Sequence, residues 1–334
     1  MAKQLLTAMD LAARRGTDKE IGLVQQIVNW SPEIAMIPGR TIPGTFTEAK
    51  VQIGIAKGGA FPGINGGVAV GAGAYEKRRF NAFFFDSQLE IRESELIGAS
   101  QQGDSIGDLQ ADETAGALQD KAIKFSQQFY QGLAQNANGF PGLLDIIKIY
   151  TGNFGASGKA AVTDSRTGKP MVSYIDAGGT SGATECVWYI WANPQGISFL
   201  YGGDKMIDVN PWVWAYLGAS DARYRAMVSN VSGFVGLSAA NPWSVACIKN
   251  IDATHSWTDA LSAKLHALLP QGINPTHCFA TKRAIAGLQQ QRTVTLFGSG
   301  TERPNQGTVA PIPQADVNGT SIYPTDGIQL SAAI

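Results

Sequence analysis

The longest helix signal in the sequence spans Asp108 to Asn136 and reads DLQADETAGALQDKAIKFSQQFYQGLAQN. Apolar residues recur in it every three or four positions, which is the spacing of one face of an α-helix. We predict a helix of about seven or eight turns, which Gly132, Asn136 and Gly139 then end. Its narrow apolar stripe consists of Ala111, Ala115, Leu118, Ala122, Phe125, Phe129 and Leu133.

The charged residues of this helix follow the order that the helix dipole favours. Asp108, Asp112 and Glu113 lie at its start, and Lys121 and Lys124 lie further along. We place them on a polar face opposite the apolar stripe. At ~1.5 Å per residue the helix is about 40 Å long, longer than most helices within a domain. We therefore expect this helix to act as a structural beam, a single long helix that spans an extended structure.

The composition favours a protein whose surface is partly covered in an assembly. The 334 residues are 44% hydrophobic and 16% charged, so few charges are left to cover the surface of a monomer. A chain of this length can bury a large core and is long enough for two subdomains. A large, weakly charged enzyme fits the composition equally well.

Charge and cysteine content exclude several classes of protein. The net charge of −1 argues against a basic nucleic-acid-binding protein, so contact with nucleic acid should be weak and nonspecific. Cys186, Cys247 and Cys278 are odd in number and far apart, which fits a reducing compartment and small buried side chains. No apolar run has the length of a membrane span, and MAKQLLTAMD at the N-terminus lacks a signal-peptide core. We expect a protein kept in the cytoplasm unless a particle carries it out.

Residues 1–44 have the pattern of an extended arm. Cap signals predict short helices over Thr7–Ala13 and Thr17–Val28. From Pro32 to Gly44 the prolines and glycines predict an extended path across a neighbouring surface. Such an arm buries little against itself and needs a partner surface.

A glycine-rich flap follows the arm. Val51, Ile53 and Ile55 alternate with polar residues or glycine, and strand residues return from Phe80 to Ile91. The link Gly58–Gly73 contains seven glycines, which predicts a two-stranded flap with a flexible tip. Because an isolated hairpin is barely stable, we expect the flap to lie on a neighbouring subunit.

The remaining chain predicts a mixed α+β fold with long extended excursions and no internal repeat. We predict two buried strands in Glu185–Gly203 and a strand pair in Met227–Asp252. The other predicted features are a turn and apolar run at Gly139–Ile147, a helix at Asp259–Leu269, a strand leading into a helix at Cys278–Gln291, an irregular tail at Gly298–Asn318 and a last strand in SIYPTDGIQL.

The search for ligand sites finds no convincing motif. Gly152–Lys159 reads GNFGASGK, but its glycine spacing is wrong for a phosphate loop and Ala160 stands where a Mg²⁺-binding hydroxyl is needed. Asp204 and Asp208 near Asn210 fit no calcium loop, so we interpret them as solvated turn residues. We predict no cofactor site and no metal site.

The search for catalytic residues gives the same result. His255, His266 and His277 are too widely spaced for a helical metal pair. His277 is adjacent to Cys278, but neighbours in a strand point to opposite faces and cannot share a proton. We predict no catalytic site.

Aromatic residues concentrate in one part of the chain, where they could stack on a base or a sugar. Because no arginine or lysine is interleaved with them, core and interface packing is the better interpretation. They are Trp188, Tyr189, Trp191, Trp212, Trp214 and Tyr216.

The order of these features resembles the major capsid proteins of tailed double-stranded DNA bacteriophages, which have the Hong Kong 97-like fold, and a podophage-type subgroup in particular. The resemblance covers almost the whole chain. It rests on the arm, the flap and the long helix, followed by GFPGL at Gly139–Leu143, WANPQGISFLY at Trp191–Tyr201, CIKNID at Cys247–Asp252, FATKRAIAGLQ at Phe279–Gln289 and SIYPTDGI at Ser321–Ile328.

The resemblance implies an α+β capsid fold divided into an arm, a loop and two subdomains. The segment FATKRAIAGLQ follows the long peripheral strands, whereas its counterpart in the family precedes them, so we expect a fold permuted in segment order. The implied division is residues 1–44 for the N-terminal arm, 45–88 for the extended loop, 89–138 and 216–272 for a peripheral domain with spine helix 108–136, and 139–215 and 273–334 for an axial domain.

The function implied is a non-enzymatic major capsid protein that self-assembles into an icosahedral shell around viral DNA. Pentamers and hexamers, a separate scaffolding protein, a portal and a cement or decoration protein are the implied partners. The shell would assemble in the host bacterial cytoplasm, become the virion capsid and touch packaged DNA only weakly, without a membrane. Some relatives crosslink through a lysine of the loop, where Lys50 and Lys57 lie, but we expect noncovalent closure.

Two alternatives remain open from the sequence. An encapsulin-like compartment shell would share the fold and hold cargo enzymes. A cytosolic enzyme would use the glycine-rich flap as a lid over a site built from residues distant in sequence.

Overall fold

A computed structural model describes most of the chain. The ranges described are 31–56, 61, 66–67, 70–102, 105–151, 162–164, 166–180, 182–203, 207–218, 223–294, 310–311 and 316–329. Several predicted features fall wholly or largely outside the described residues: the helices at Thr7–Ala13 and Thr17–Val28, much of the link Gly58–Gly73, the segment Gly152–Lys159, Asp204 and most of the tail Gly298–Asn318.

The described ranges contain six α-helices, among which the predicted beam is the longest. No helix in them is both long enough and apolar enough to cross a membrane. The helices are α1 (Glu33–Met36), α2 (Glu93–Gln102), α3 (Ile106–Gln131), α4 (Leu143–Thr151), α5 (Asp259–Leu268) and α6 (Lys282–Gln291).

The strands of the described ranges include the predicted flap, the buried strands and the last strand. They are β1 (Gly39–Thr41), β2 (Phe46–Gly54), β3 (Ala74–Asn81), β4 (Phe83–Arg92), β5 (Tyr174–Asp176), β6 (Glu185–Ile190), β7 (Ile197–Tyr201), β8 (Asp208–Val209), β9 (Val213–Leu217), β10 (Tyr224–Ala239), β11 (Val245–Ile251), β12 (His277–Ala280), β13 (Thr293–Val294), β14 (Ala310–Pro311), β15 (Asp316–Val317) and β16 (Thr320–Pro324).

Two six-stranded sheets form the body of the described chain. In the first sheet, β10 is central: β4 runs antiparallel along one edge, and β9, β8 and β7 pair with the other edge. The second sheet has the order β15-β16-β12-β6-β11-β5. The short β1 adds to β7 in parallel, so the end of the described arm joins the first sheet.

The predicted strand pair in Met227–Asp252 is wrong. Both strands exist, but β10 lies in the first sheet and β11 in the second. Between them the short helical turn Pro242–Ser244 redirects the chain, and the Asn241 side chain caps this turn by accepting a hydrogen bond from Trp243 N–H. The chain passes through this capped turn from the first sheet into the second.

The second sheet lies between two apolar cores, and β6 shows this most directly. All six residues of β6 are buried. Trp188 and Ile190 pack on the α3–α4 side, whereas Val187 and Tyr189 pack on the side of α5 and α6. A strand that is apolar on both faces is typical of a sheet covered on both sides.

The long helix α3 is capped at both ends by side chains. Ser105 Oγ accepts a hydrogen bond from Asp108 N–H at 3.0 Å, which satisfies one free donor of the first turn. Gly132 ends the helix at φ +61°, and its neighbour Leu133 donates its N–H to Asp145 Oδ2 at 2.7 Å. Because Asp145 replaces the next helical acceptor, α3 ends at Gln131, five residues before the predicted end at Asn136.

The apolar stripe of α3 is only partly buried, which corrects the prediction. Phe125 and Phe129 are buried and their rings lie 5.0 and 5.4 Å from the ring of Phe199. From its start to just past its middle, the helix instead rests on the first sheet through a different face, which includes Leu109 and Lys121. The stripe residues Ala111, Ala115 and Leu118 are therefore exposed, and Leu133, which lies beyond the end of α3, is exposed as well.

Candidate assembly surfaces

The predicted flap exists as a two-stranded antiparallel hairpin of β2 and β3, but its second strand is Ala74–Asn81 and not the predicted Phe80–Ile91. Most of that predicted stretch forms β4, which pairs with β10 in the first sheet. The register pairs Phe46 with Asn81 and Gln52 with Tyr75. Because side chains alternate across a strand, the hairpin has two distinct faces. The inner face turns toward the body and includes Val51, Arg78 and Phe80, all half-buried.

Arg78 anchors the hairpin to the body. Its guanidinium donates to the carbonyl of Ala240 at 2.9 Å and lies 5.0 Å from the centre of the Tyr150 ring. Only 12% of its side chain is exposed, and Glu76 is 3.6 Å away. The sequence stretch Lys77-Arg78-Arg79 shows three similar cations. Strand alternation puts Arg78 on the opposite face from its two neighbours, and the position of the body makes that face the anchoring one.

Two clefts flank the hairpin where it leaves the body. One, of about 590 Å³, lies between β3 and α4 and is lined by Phe80, Ile146 and Tyr150 among others. The other, of about 770 Å³, lies between β2 and the turn that carries Trp243. Apart from its anchoring contacts, the hairpin is thus separated from the body by a cleft on each side.

The outer face of the hairpin is exposed, and its cations lie over aromatic rings. Lys50 Nζ is 4.3 Å from the centre of the Tyr75 ring, and the Arg79 guanidinium is 3.8 Å from that of Phe46. Lys77 pairs with Glu48 at 3.7 Å. We call these six residues the hairpin outer face: Phe46, Glu48, Lys50, Tyr75, Lys77 and Arg79.

Lys121 is buried, contrary to its predicted place on the polar face of the helix. Its side chain is 1% exposed, and Nζ donates to the carbonyl of Val231 at 2.5 Å and lies 4.4 Å from the centre of the Phe85 ring. Burial lowers the pKa of this amine, and the nearby carboxylate of Asp86 partly opposes that shift. The ammonium group therefore ties α3 to the middle of β10.

Glu33 is a second buried charge-bearing group that the sequence did not reveal. It is 0% exposed and contacts Ser126, Tyr130 and Thr325 through their hydroxyls; the oxygen distances to Tyr130 and Thr325 are 3.4 and 3.1 Å. Burial raises the pKa of this carboxyl, and the hydroxyl hydrogen bonds only partly offset the shift. It joins the described end of the arm to α3 and to the C-terminal segment.

The strand β9 forms an exposed edge of the first sheet. It pairs with β10, and Val213, Trp214 and Tyr216 are exposed. The Arg225 guanidinium covers the Trp214 ring at 4.1 Å and pairs with Glu93 at 3.1 Å. Of the six aromatics in the predicted group, Trp188 and Tyr189 lie in the core, whereas Trp214 and Tyr216 lie on this surface.

The three histidines occupy separate places. His255 Nδ1 is 3.1 Å from Asp252 Oδ1, whereas the His266 ring meets the Tyr189 ring edge-on at 5.4 Å. Hydrogen bonds from the His255 backbone N–H and from Thr254 hold the pKa of the Asp252 carboxyl well below its usual range. Within the described ranges, no three His, Cys, Asp or Glu side chains are grouped closely enough to hold a metal ion.

The cysteines are buried thiols, as predicted. Burial raises the pKa of each, that of Cys186 to about 11, which disfavours the reactive thiolate. Cys278 packs beside α5 and α6, whereas the ring of His277 stacks on Phe279 in the other core. The two neighbours therefore point to opposite faces of β12, as strand geometry predicts. Asp208 and Asn210 lie on the exposed rim of the first sheet.

Comparison with known proteins identifies the fold. No protein-family model matches the chain, and neither does any curated protein. A chain in a near-atomic-resolution cryo-EM structure of bacteriophage epsilon15 matches with a TM-score of 0.62 at 13% identity, over 100% of this chain and 98% of that one. The chain has the Hong Kong 97-like fold.

Two further structures are similar to this Hong Kong 97-like chain at lower scores. The bacteriophage JBD30 capsid gives a TM-score of 0.49 at 9% identity, covering 97% of this chain and 99% of that one. The holo-SrpI encapsulin complex from Synechococcus elongatus PCC 7942 gives 0.40 at 13% identity, covering 74% and 98%. Both scores are too low to support an inference. A podophage-type subgroup and a permuted segment order stay predictions.

Proposed function

We propose that this chain is the major capsid protein of a tailed bacteriophage, a structural subunit that self-assembles into the icosahedral shell around double-stranded DNA. The observation that carries the proposal is the full-length likeness in fold to the epsilon15 chain, with its TM-score of 0.62. Two features of the chain support the proposal further. The β2–β3 hairpin projects from the body, and the first sheet has an exposed edge at β9.

The exposed apolar residues of the hairpin support assembly. Ile53, Ile55 and Tyr75 are exposed large hydrophobic residues near its described tip, and Phe46 is exposed at its base. A two-stranded hairpin is marginally stable in water, so a covering neighbour would stabilise it. Several contacts of this kind on each subunit would together exceed the ~1,600 Å² of a standard interface.

The division into subdomains is part of the same proposal. Residues 1–44 form the arm and 45–88 contain the extended loop, with α3 as the spine helix of the peripheral domain. We assign the second sheet with α5 and α6 to the axial domain. This assignment moves residues 245–272 out of the expected peripheral domain, because β11 and α5 pack with β6 and β12.

The proposed partners are those of a viral shell. Copies of the chain form its pentamers and hexamers, and a scaffolding protein, a portal and a cement or decoration protein complete it. Assembly takes place in the host cytoplasm, contact with the packaged DNA is weak, and the subunit catalyses no reaction. The net charge of −1 is compatible with confining DNA without strong attraction.

Size-exclusion chromatography with negative-stain electron microscopy tests the proposal. We expect the purified protein to form closed particles of megadalton mass. A small monodisperse oligomer whose melting temperature responds to a ligand would favour the enzyme alternative. Particles purified from producing cells that contain a cargo protein and no DNA would favour an encapsulin-like compartment.

A further inference from the structure

The edge strand β9 differs from the other long edge strands in lacking charge. The strands β2, β3 and β4 also lie at sheet edges in the described chain, and each carries at least two charged residues. By contrast, β9 reads VWAYL and contains no charge, proline or glycine. Charged residues and prolines keep an edge strand from pairing with another chain, so β9 lacks this protection.

The backbone of β9 has an unpaired side. Its residues pair antiparallel with β10, from Val213 opposite Val228 to Leu217 opposite Tyr224. No other strand of the described chain pairs with β9. Because alternate residues of a strand direct their N–H and C=O groups to its two sides, the far side of β9 presents donors and acceptors that can pair with a further strand.

The side chains give β9 an aromatic face and an aliphatic face. Trp214 lies opposite Met227, which packs beside residues of α2 and α3. Trp214 and Tyr216 therefore lie on the helix-facing side of the first sheet, since side chains alternate along a strand. Their exposed fractions are 44% and 73%. The residues of the opposite, aliphatic face are Val213, Ala215 and Leu217.

The sequence of β9 is complementary to itself when two copies run antiparallel. The register that pairs all five residues of the strand sets Ala215 opposite Ala215 of the second copy. Trp214 then lies opposite Tyr216, and Val213 opposite Leu217, each pair occurring twice. Aromatic residues thus meet aromatic residues, and aliphatic residues meet aliphatic ones. Cross-strand pairs of this kind are the ones that stabilise a sheet.

We propose that the β9 strands of two copies pair antiparallel about a two-fold axis at Ala215, which joins their first sheets into one continuous sheet. The paired edges form about four to six backbone hydrogen bonds. Because both copies use the same surface, the contact closes at two copies and does not propagate. An icosahedral shell contains two-fold axes, and only the placement of the pair on such an axis rests on the proposed function.

A single pair of this kind is weak. Two five-residue strands cover less than the roughly 800 Å² per partner of a standard interface. The pair therefore accumulates where other contacts already hold the copies together, as in an assembled particle. For this reason the test traps the pair covalently.

Disulfide formation at position 215 tests the register directly. In the proposed pairing the Cα atoms of the two residues at this position are about 4.5–5.5 Å apart, within the range that disulfides span. We expect mild oxidation of assembled A215C to convert at least about half of its chains to dimers on a non-reducing gel. The three native cysteines are buried, so they contribute little background.

A matched control is V213C, on the same face of the same strand. Val213 is 53% exposed, so its cysteine is accessible to the oxidant. In the proposed register the two copies of position 213 are about 13 Å apart along the strand, too far for a disulfide. We expect V213C to form dimers at least about fivefold less than A215C. The double variant V213C/L217C should restore them, because position 213 faces position 217.

Charges placed on the aromatic face give a second test. In an A215C background, W214K/Y216K sets lysine opposite lysine, whereas W214K/Y216E sets lysine opposite glutamate. Both variants lose the aromatic pairs, so they differ in the sign of one residue. We expect at least about tenfold fewer dimers from the lysine–lysine variant, since like charges directly opposite each other destabilise a strand pair. Circular dichroism of the unassembled variants checks that both fold.

The outcomes separate this pairing from the proposed function. Dimers of A215C in small soluble oligomers, with no closed particles from the wild type, would support the pairing and overturn the shell function. Closed particles in which A215C stays monomeric would overturn the pairing and leave the edge to a strand of another protein. Equal dimer yields from A215C and V213C, or from the two charge variants, would also overturn it.

Discussion

Glu33 shows how one buried side chain can make the docking of the arm depend on pH. Its carboxyl is 0% exposed and lies among the hydroxyls of Ser126, Tyr130 and Thr325. Hydroxyls can donate to a carboxylate and accept from a carboxylic acid, so they serve both protonation states. Burial favours the neutral form, and the pKa of the carboxyl is raised.

The raised pKa predicts that the contribution of Glu33 to the stability of the unassembled subunit decreases as the pH increases. A carboxyl whose pKa is higher in the folded state binds more protons when folded, so its contribution is complete below its unfolded pKa of about 4.3 and is lost as the pH rises through the folded value. We expect E33Q to have a flatter dependence of unfolding free energy on pH than the wild type. Urea unfolding at a series of pH values, from about pH 4 upward, measures this pH dependence.

The control for this prediction is E93Q, which alters a carboxylate with about two-fifths of its side chain exposed. It should follow the wild-type pH dependence. Parallel curves for the wild type and E33Q would show that Glu33 does not titrate within the folded range.

Lys121 and Lys124 are the same residue type on one helix but should differ strongly in their effect on stability. Replacing Lys121 by Met removes its buried, charge-assisted hydrogen bond to the carbonyl of Val231, which costs about 1.5–3 kcal/mol of unfolding free energy. Lys124 is exposed and pairs with Asp120 at 2.6 Å, so K124M should change the unfolding free energy by no more than about 0.5 kcal/mol. Urea unfolding of both variants measures the two changes in unfolding free energy. Equal changes would contradict the buried placement of Lys121.

At the scale of elements, the sequence predicted the long helix and the hairpin but not their orientation. Periodicity identified a stripe that includes Leu118 and Phe129, and a helix exists there. The face that turns inward is set by where β10 and α4 pack, which are distant in sequence. The stripe is therefore buried in the second half of α3 and exposed in the first. Local periodicity contains no information about that change of environment.

The two halves of the stripe predict opposite outcomes on truncation. Phe129 is 0% exposed and touches Phe199, so F129A should destabilise the subunit by about 3–5 kcal/mol. Leu118 is 38% exposed, so L118A should cost the isolated subunit less than about 0.5 kcal/mol. Thermal or urea unfolding gives both values, and a large loss in L118A would show that the first half of α3 is buried.

The strand pattern between Met227 and Asp252 was predicted correctly, but its partners were not. Two strands were predicted where β10 and β11 lie, and the break at Asn241 and Pro242 was visible. Only the three-dimensional structure shows that this break transfers the chain from one sheet to the other.

At the scale of the whole molecule, the order of motifs predicted the fold better than any single motif did. Each of GFPGL, WANPQGISFLY and FATKRAIAGLQ is a weak signal, yet together they indicated the Hong Kong 97-like fold, which the epsilon15 likeness confirms. The candidate assembly surfaces were less predictable. Assigning Lys77 to the exposed face and Arg78 to the anchoring face required the hairpin register and the position of the body.

We expect closure of the proposed shell to be noncovalent. Lys50 lies on the hairpin outer face over the ring of Tyr75, and Lys57 lies outside the described residues. We expect boiled particles to migrate on a denaturing gel as one band near the subunit mass of 35.4 kDa. A ladder of higher bands that survives boiling and reduction would show covalent links between subunits.

The attachment of the hairpin through Arg78 has a geometrical consequence for a closed surface. A projecting strand pair held at its root by the Arg78 guanidinium and by the packing of Phe80 near Leu200, with clefts on both sides, can tilt about that root while its own ladder of hydrogen bonds stays intact. Rings of five and rings of six present their members to one another at unequal inclinations. A pivot at the base of the hairpin would let identical subunits adopt these different inclinations without any change in their cores.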